Sequence, residues 1–172
     1  AEALADGTLL TTSGAGSFTI SNFLGNLTNS ATGTVQVTLD DDGLGTPVDS
    51  TITNSAASGT FTVNNGTFAD GDTINLAGTG AITVNGLVAD LNASTSTGSI
   101  TVNAVDDVSI TTGSAATTIS ETTGFTATVN AEALADGTLL TTSGAGSFTI
   151  SNFLGNLTNS ATGTVQVTLD DD

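Results

Sequence analysis

The 172-residue chain contains no lysine, no arginine and no histidine. Without a cationic side chain it can form no side-chain salt bridge, and it offers no basic footprint to nucleic acid or an anionic lipid surface. Cysteine is absent too, which excludes disulfide cross-links and thiolate metal sites. There is no tryptophan, tyrosine or methionine, proline occurs once as Pro47, and the only aromatics are seven phenylalanines. The joint lack of His, Cys, Lys, Arg and Tyr removes the usual catalytic bases and activated nucleophiles, so the chain is not expected to be an enzyme. A carboxylate pair on a β-helix could cleave glycosides, but the aromatic and basic groups that line such sugar-binding grooves are missing. No run approaches the roughly 20 apolar residues of a membrane-spanning helix, and no basic n-region resembles a signal peptide.

What the chain does have is acid: seventeen Asp and Glu, for a net charge of −17. Such a charge repels itself in any compact state, so folding must rely on salt screening, dispersed carboxylates or bound cations. The hydrophobic fraction of 37% is supplied mainly by Val, Ile, Leu and Ala, which suit a narrow, regularly layered core.

Residues 1–42 return unchanged as residues 131–172, so the chain is one 130-residue period plus the start of the next. A self-similar period is the mark of units that are stable only when stacked on neighbours, and the chain reads as a piece of such an array. Within the period, motifs of the form Gly-x-apolar-x-apolar-polar begin at Gly16, Gly33, Gly59, Gly80, Gly98, Gly124, Gly146 and Gly163. Their spacing of 17, 26 and 21 residues, then 18, 26 and 22, divides the period into two diverged half-repeats, 1–64 and 65–130. Residues 131–172 begin the next one.

Each motif alternates with period two, placing Phe18/Ile20, Val35/Val37, Phe61/Val63, Ile82/Val84, Ile100/Val102 and Ala127/Val129 on one face. A mean spacing near 22 residues, holding two or three short strands, is one coil of a parallel β-solenoid. The expected architecture is therefore all-β, three coils per half-repeat, continuous and without true domain boundaries. Phe18, Val35, Phe61, Ile82 and Ile100 would form one internal ladder and Thr19, Gln36, Thr62, Thr83 and Thr101 an outward one, with Asn64, Asn85, Asn103 and Asn130 stacked at a corner. The segment around DDDGLGTPV would loop out of the coil. The competing architecture is a string of immunoglobulin-like or cadherin-like β-sandwiches, which a 65-residue unit of three near-equal subunits fits poorly.

The acids cluster. Asp40, Asp41 and Asp42 sit at one turn, Asp106 and Asp107 at the equivalent turn of the next half-repeat, and Asp170, Asp171 and Asp172 at the third. On a solenoid these clusters would line one side at intervals of three coils. Adjacent carboxylates with no basic partner suit a hard cation with oxygen ligands, for which calcium is the natural extracellular choice. Asp70 and Asp72 form a weaker candidate, and the alternative at every cluster is a solvated acidic turn.

The phrases NAEALADGTLLTTSGAGSFTISNFLGNL and TGSITVNAVDDVSITTGSAATTIS resemble the β-strand repeats of very large secreted bacterial surface proteins, the calcium-associated adhesins and hemagglutinin-like fibres. That resemblance implies export to the bacterial cell surface and an elongated calcium-bound fibre, working in attachment, surface coating, gliding or biofilm. The expected function is a stiff structural spacer whose partners are other copies of the same repeat. The alternatives are a binding module whose Thr/Asn face recognises a glycan, ice or another fibre, and an S-layer or sheath lattice.

Overall fold

The computed structural model describes residues 7–170. Among them seventeen strands follow one another without a helix, and the chain passes from one sheet to a second and back at every step. The odd sheet comprises β1 (Leu9–Thr12), β3 (Asn26–Asn29), β5 (Asp49–Asn54), β7 (Thr73–Gly78), β9 (Asp90–Ser96), β11 (Val108–Thr111), β13 (Thr126–Asn130), β15 (Ser147–Phe153) and β17 (Val165–Leu169). The even sheet comprises β2 (Phe18–Phe23), β4 (Thr34–Leu39), β6 (Thr60–Asn64), β8 (Ile82–Leu87), β10 (Ile100–Ala104), β12 (Thr117–Glu121), β14 (Leu139–Gly144) and β16 (Asn156–Asn159). Every pairing is parallel and joins strands one coil apart, so the architecture is a two-sheet parallel β-solenoid with about two strands per turn.

The two sheets enclose a single column of small apolar side chains. Val37, Val63, Val84, Val102 and Ile119 stack rung on rung and are buried essentially completely. Burying each such side chain is worth about 1.5–3 kcal/mol, spread evenly along the axis instead of being concentrated in one nucleus. Parallel strands buried on one face and solvated on the other need strict period-two alternation, which is what the Gly-x-apolar-x-apolar motif supplies.

The glycines that open six of the motifs, Gly33, Gly59, Gly80, Gly98, Gly146 and Gly163, have a steric cause. A Cβ at Gly98 would collide with the carbonyl oxygen of Gly80, and one at Gly33 with that of Gly16. Successive corners stack backbone on backbone too closely for any side chain.

The expected ladders form. Phe18 pairs with Val35 and Val35 with Phe61 on the inside, and Ile82 pairs with Ile100. On the outside Thr19, Gln36, Thr62, Thr83 and Thr101 follow in register, and Asn103 donates to Asn85 Oδ1 at 2.8 Å.

Asn130, Ala127 and Val129 do not join them, because β13 belongs to the odd sheet. The next rung above Ile100 is Thr117, only 17 residues on, supplied by TTISE at 117–121. The two 26-residue intervals therefore differ in kind. From Gly33 to Gly59 the chain makes one coil with a long corner at 40–48, and from Gly98 to Gly124 it makes a coil and a half. Three coils separate Phe18 from Ile82, as expected, but three and a half separate Ile82 from Phe148.

As a result, the 130-residue period spans thirteen strands, from β2 to β15, or six and a half coils. Identical sequences consequently lie on opposite sheets. FTISNF is β2 in the even sheet and recurs within β15 in the odd sheet, and NLTN is β3 in the odd sheet and β16 in the even one. Each copy keeps its local geometry after the exchange. Asn22 and Asn152 share a left-handed φ of 53° and 54° at the same bulge. Thr12 Oγ1 donates to Asn29 Oδ1 at 2.7 Å, and Thr142 Oγ1 to Asn159 Oδ1 at 2.9 Å.

Candidate functional site

The two edges of the solenoid, where the chain crosses between sheets, differ in chemistry. Crossings from the odd to the even sheet at 13–17, 30–33, 55–59, 79–81, 97–99 and 112–116 contain only Gly, Ala, Ser and Thr. Crossings the other way carry Asp40, Asp41, Asp42, Asp70, Asp72, Asp106 and Asp107, with Asp49, Asp90 and Glu121 at the strand ends that flank them. As far as β12, one edge is thus a line of carboxylates and the other is uncharged.

Asp40 to Asp42 and Asp106 to Asp107 follow β4 and β10, on one edge and three coils apart, as their spacing suggested. Asp170 does not join them: it follows β17, which lies in the odd sheet, so it falls on the opposite edge. The half-coil in each period produces that exchange. Glu132 and Asp136, between β13 and β14, lie on Asp170's edge as well. Asp171 and Asp172 lie outside the described residues.

Most of these carboxylates bind backbone. Asp72 is buried, 4% exposed, with Oδ1 accepting from the Val48 N–H and Oδ2 from the Ala69 N–H, both at 2.8 Å. Asp90 Oδ1 accepts from Ser109 N at 3.0 Å and Asp107 Oδ1 from Thr126 N at 2.7 Å, each reaching to a strand one coil further on. Asp42 Oδ1 accepts from Leu44 N, Asp106 Oδ1 from Asp107 N, and Asp40 Oδ1 from Thr67 Oγ1. An ionised carboxylate accepting from N–H makes a stronger bond than a neutral acceptor, and here it satisfies donors that the sheet ladder leaves free where the chain enters a strand.

Asp41, Pro47, Ala69, Asp70 and Asp72 line a cavity of about 150 Å³ beneath the long corner, and Asp41 Oδ1 is buried there without a hydrogen-bond partner. Asp70, Asp90, Asp107, Ser109 and Thr126 border a wider polar groove of about 330 Å³. Among the described residues no three acidic side chains converge closely enough to cage a metal ion. Of the expected clusters, Asp40 to Asp42 and Asp106 to Asp107 share an edge and Asp170 lies on the other.

Two features escaped the sequence. Asn29 and Asn54 face inward, at 1% and 3% exposure, and form a buried ladder in which Asn29 Nδ2 donates to Asn54 Oδ1 at 2.9 Å and Asn54 Nδ2 to the Ala81 carbonyl at 2.8 Å. Asparagine between short strands reads as a turn residue, so only its recurrence at the end of NLTN and TITN hinted at a ladder. The second is Glu121, an acid occupying an inward position at 1% exposure. Burial, followed by the nearby Asp107 and Asp106 charges, pushes its carboxyl above the ordinary range, against a hydrogen bond from the Thr122 N–H that lowers it.

The chain matches no protein-family model, no curated protein and no solved structure.

Proposed function

We propose that this chain is a segment of a long, stiff fibre at the bacterial cell surface, in which stacked 130-residue repeats serve as a spacer for attachment, surface coating or biofilm matrix. One observation carries this reading: the second copy of residues 1–42 continues the ladders of the first without a break, so stacking can go on for as many repeats as the chain supplies. At about 4.8 Å per coil each repeat adds about 31 Å of length and reverses the two faces and the two edges, giving the fibre an approximate two-fold screw along its axis. The groove beside Asp90 and Asp107 and the cavity beneath the long corner are both bordered by carboxylates.

Cations belong to the proposal as counter-ions. A line of carboxylates with no base in the chain draws divalent ions, calcium first outside cells, into a diffuse layer along the acidic stretches of each edge. Such a layer distinguishes poorly between calcium and magnesium.

The test is to display arrays of one, two and four repeats on a bead and measure reach and adhesion. A spacer gains length in proportion to repeat number and is indifferent to Thr62→Val, Thr83→Val and Thr101→Val on the outer ladder. Adhesion abolished by those substitutions at unchanged length would overturn the spacer reading in favour of a binding face.

A further inference from the structure

Glu121 closes β12, and its inward ladder position is shared with Leu87 and Ala104 on the coils before it and Gly144 on the coil after. It is the only acid among these four. The side chain lies against the glycine-rich corner that follows β14: a Cβ at Gly144 would strike the Glu121 carbonyl and one at Gly146 the Glu121 side chain, and the N–H groups of Ala145 and Gly146 both donate to the Glu121 carbonyl at 3.0 Å. Gly144, Ala145 and Gly146 repeat Gly14, Ala15 and Gly16. The contact is thus the seam at which one 130-residue repeat stacks on the next, and it recurs at every junction of an array.

At that seam Oε1 accepts from the Thr122 N–H at 2.8 Å, whereas Oε2 is buried and has no hydrogen-bond partner. The facing groups offer an ionised carboxylate nothing. The corner after β10 presents Asp106 and Asp107, the corner after β14 and the segment 122–125 carry no titratable side chain, and the whole chain has no Lys, Arg or His. A buried carboxylate with one oxygen unsatisfied and two other carboxylates near it is disfavoured relative to its protonated form.

We propose that Glu121 is a carboxylic acid in the folded solenoid and that its ionisation loosens the seam between successive repeats. The device makes the fibre more cohesive in acid and easier to open at alkaline pH, at the junctions and not uniformly along its length. This is the reverse of a protein held together by ion pairs, whose carboxylates must stay ionised.

The experiment pairs the whole chain with Glu121→Gln, which keeps the shape and removes the charge. Melting is followed by far-ultraviolet circular dichroism from pH 3.5 to 9 at fixed ionic strength. The two proteins should melt together in acid, and the variant should gain over the parent as pH rises. A gap that does not change with pH would overturn the proposal. Direct titration covers the case of a variant that fails to fold: the chain has only three glutamates, Glu2, Glu121 and Glu132, so ¹³C-carboxyl resonances resolve readily. The Glu121 midpoint should lie above the unfolded-state value near 4.5, and a midpoint at or below that value would overturn the assignment. Amide exchange supplies the location. Protection of residues 139–144 should fall with rising pH, after correction for intrinsic rates, while that of residues 82–87 holds. Equal loss in both segments would contradict a device confined to the seam.

Discussion

Replacing Asn54 by alanine tests whether the buried amide ladder holds successive coils together. Asn54 Oδ1 accepts from Asn29 Nδ2 at 2.9 Å and from the Ala56 N–H at 3.2 Å, and Nδ2 donates to the Ala81 carbonyl at 2.8 Å. Truncation strands two buried donors, since Asn29 and Ala56 are 1% and 8% exposed, whereas Ala81 is exposed enough for water to replace its lost partner. Each stranded buried donor costs about 1–3 kcal/mol, so the variant should lose about 3 kcal/mol. For a chain of this size that corresponds to roughly 10 °C in melting temperature. The internal control is Asn103→Ala, which removes an amide bond of 2.8 Å to Asn85 on the exposed outer ladder and should cost about 0.5 kcal/mol or less. Urea unfolding read by circular dichroism suits a chain without Trp or Tyr. Equal effects for the two variants, or a loss below about 1 kcal/mol for Asn54→Ala, would refute the claim that burial gives the inner ladder its weight.

Other expectations follow from the same geometry. Gly98→Ala forces a Cβ onto the Gly80 carbonyl oxygen and should destabilise by about 2 kcal/mol or more, whereas Gly43→Ala, at an open corner with a positive φ of 70°, should cost only about 1 kcal/mol; comparison of their urea midpoints checks this. Glu121 sets a pH trend whose sign is fixed by its raised pKa. Its share of stability is complete below the unfolded-state value near 4.5 and is lost as pH rises through the folded value, so the parent should lose stability relative to Glu121→Gln above pH 4.5. Melting temperature should climb with added salt, and at equal ionic strength calcium and magnesium should act alike. A steep, saturable response to micromolar calcium alone would mean that a selective site exists and that the diffuse-layer account is wrong.

Much of this architecture is legible in the sequence. Alternation within the Gly motifs identifies which of Phe18, Thr19, Val35 and Gln36 face inward, and the stacked glycine corners explain why motifs such as those at Gly33 and Gly98 begin as they do. The half-coil is not legible there, because two intervals of equal length conceal different paths. One spends its residues on the corner at 40–48, and the other hides TTISE, a strand with no opening glycine and with Glu121 where its neighbours carry Leu87 and Ala104. Strand parity is decided by pairing between residues 17 to 26 apart, which local periodicity does not report. The acid clusters are visible as residue types, but their engagement with backbone N–H groups of Val48, Ser109 and Thr126 arises only once coils stack.

The central claim is that one repeat spans six and a half coils, and the missing cysteines make it directly measurable. Cα atoms of neighbouring rungs stand about 4.8 Å apart, inside the range a disulfide can bridge. In Thr101→Cys/Thr118→Cys the two thiols occupy adjacent rungs of the even sheet, and in Thr101→Cys/Thr128→Cys they lie on opposite sheets with the core between them. Mild oxidation of the folded monomer should close the first pair and leave the second reduced. Closure of the second pair and not the first would mean that six whole coils make the repeat and that identical segments share one face.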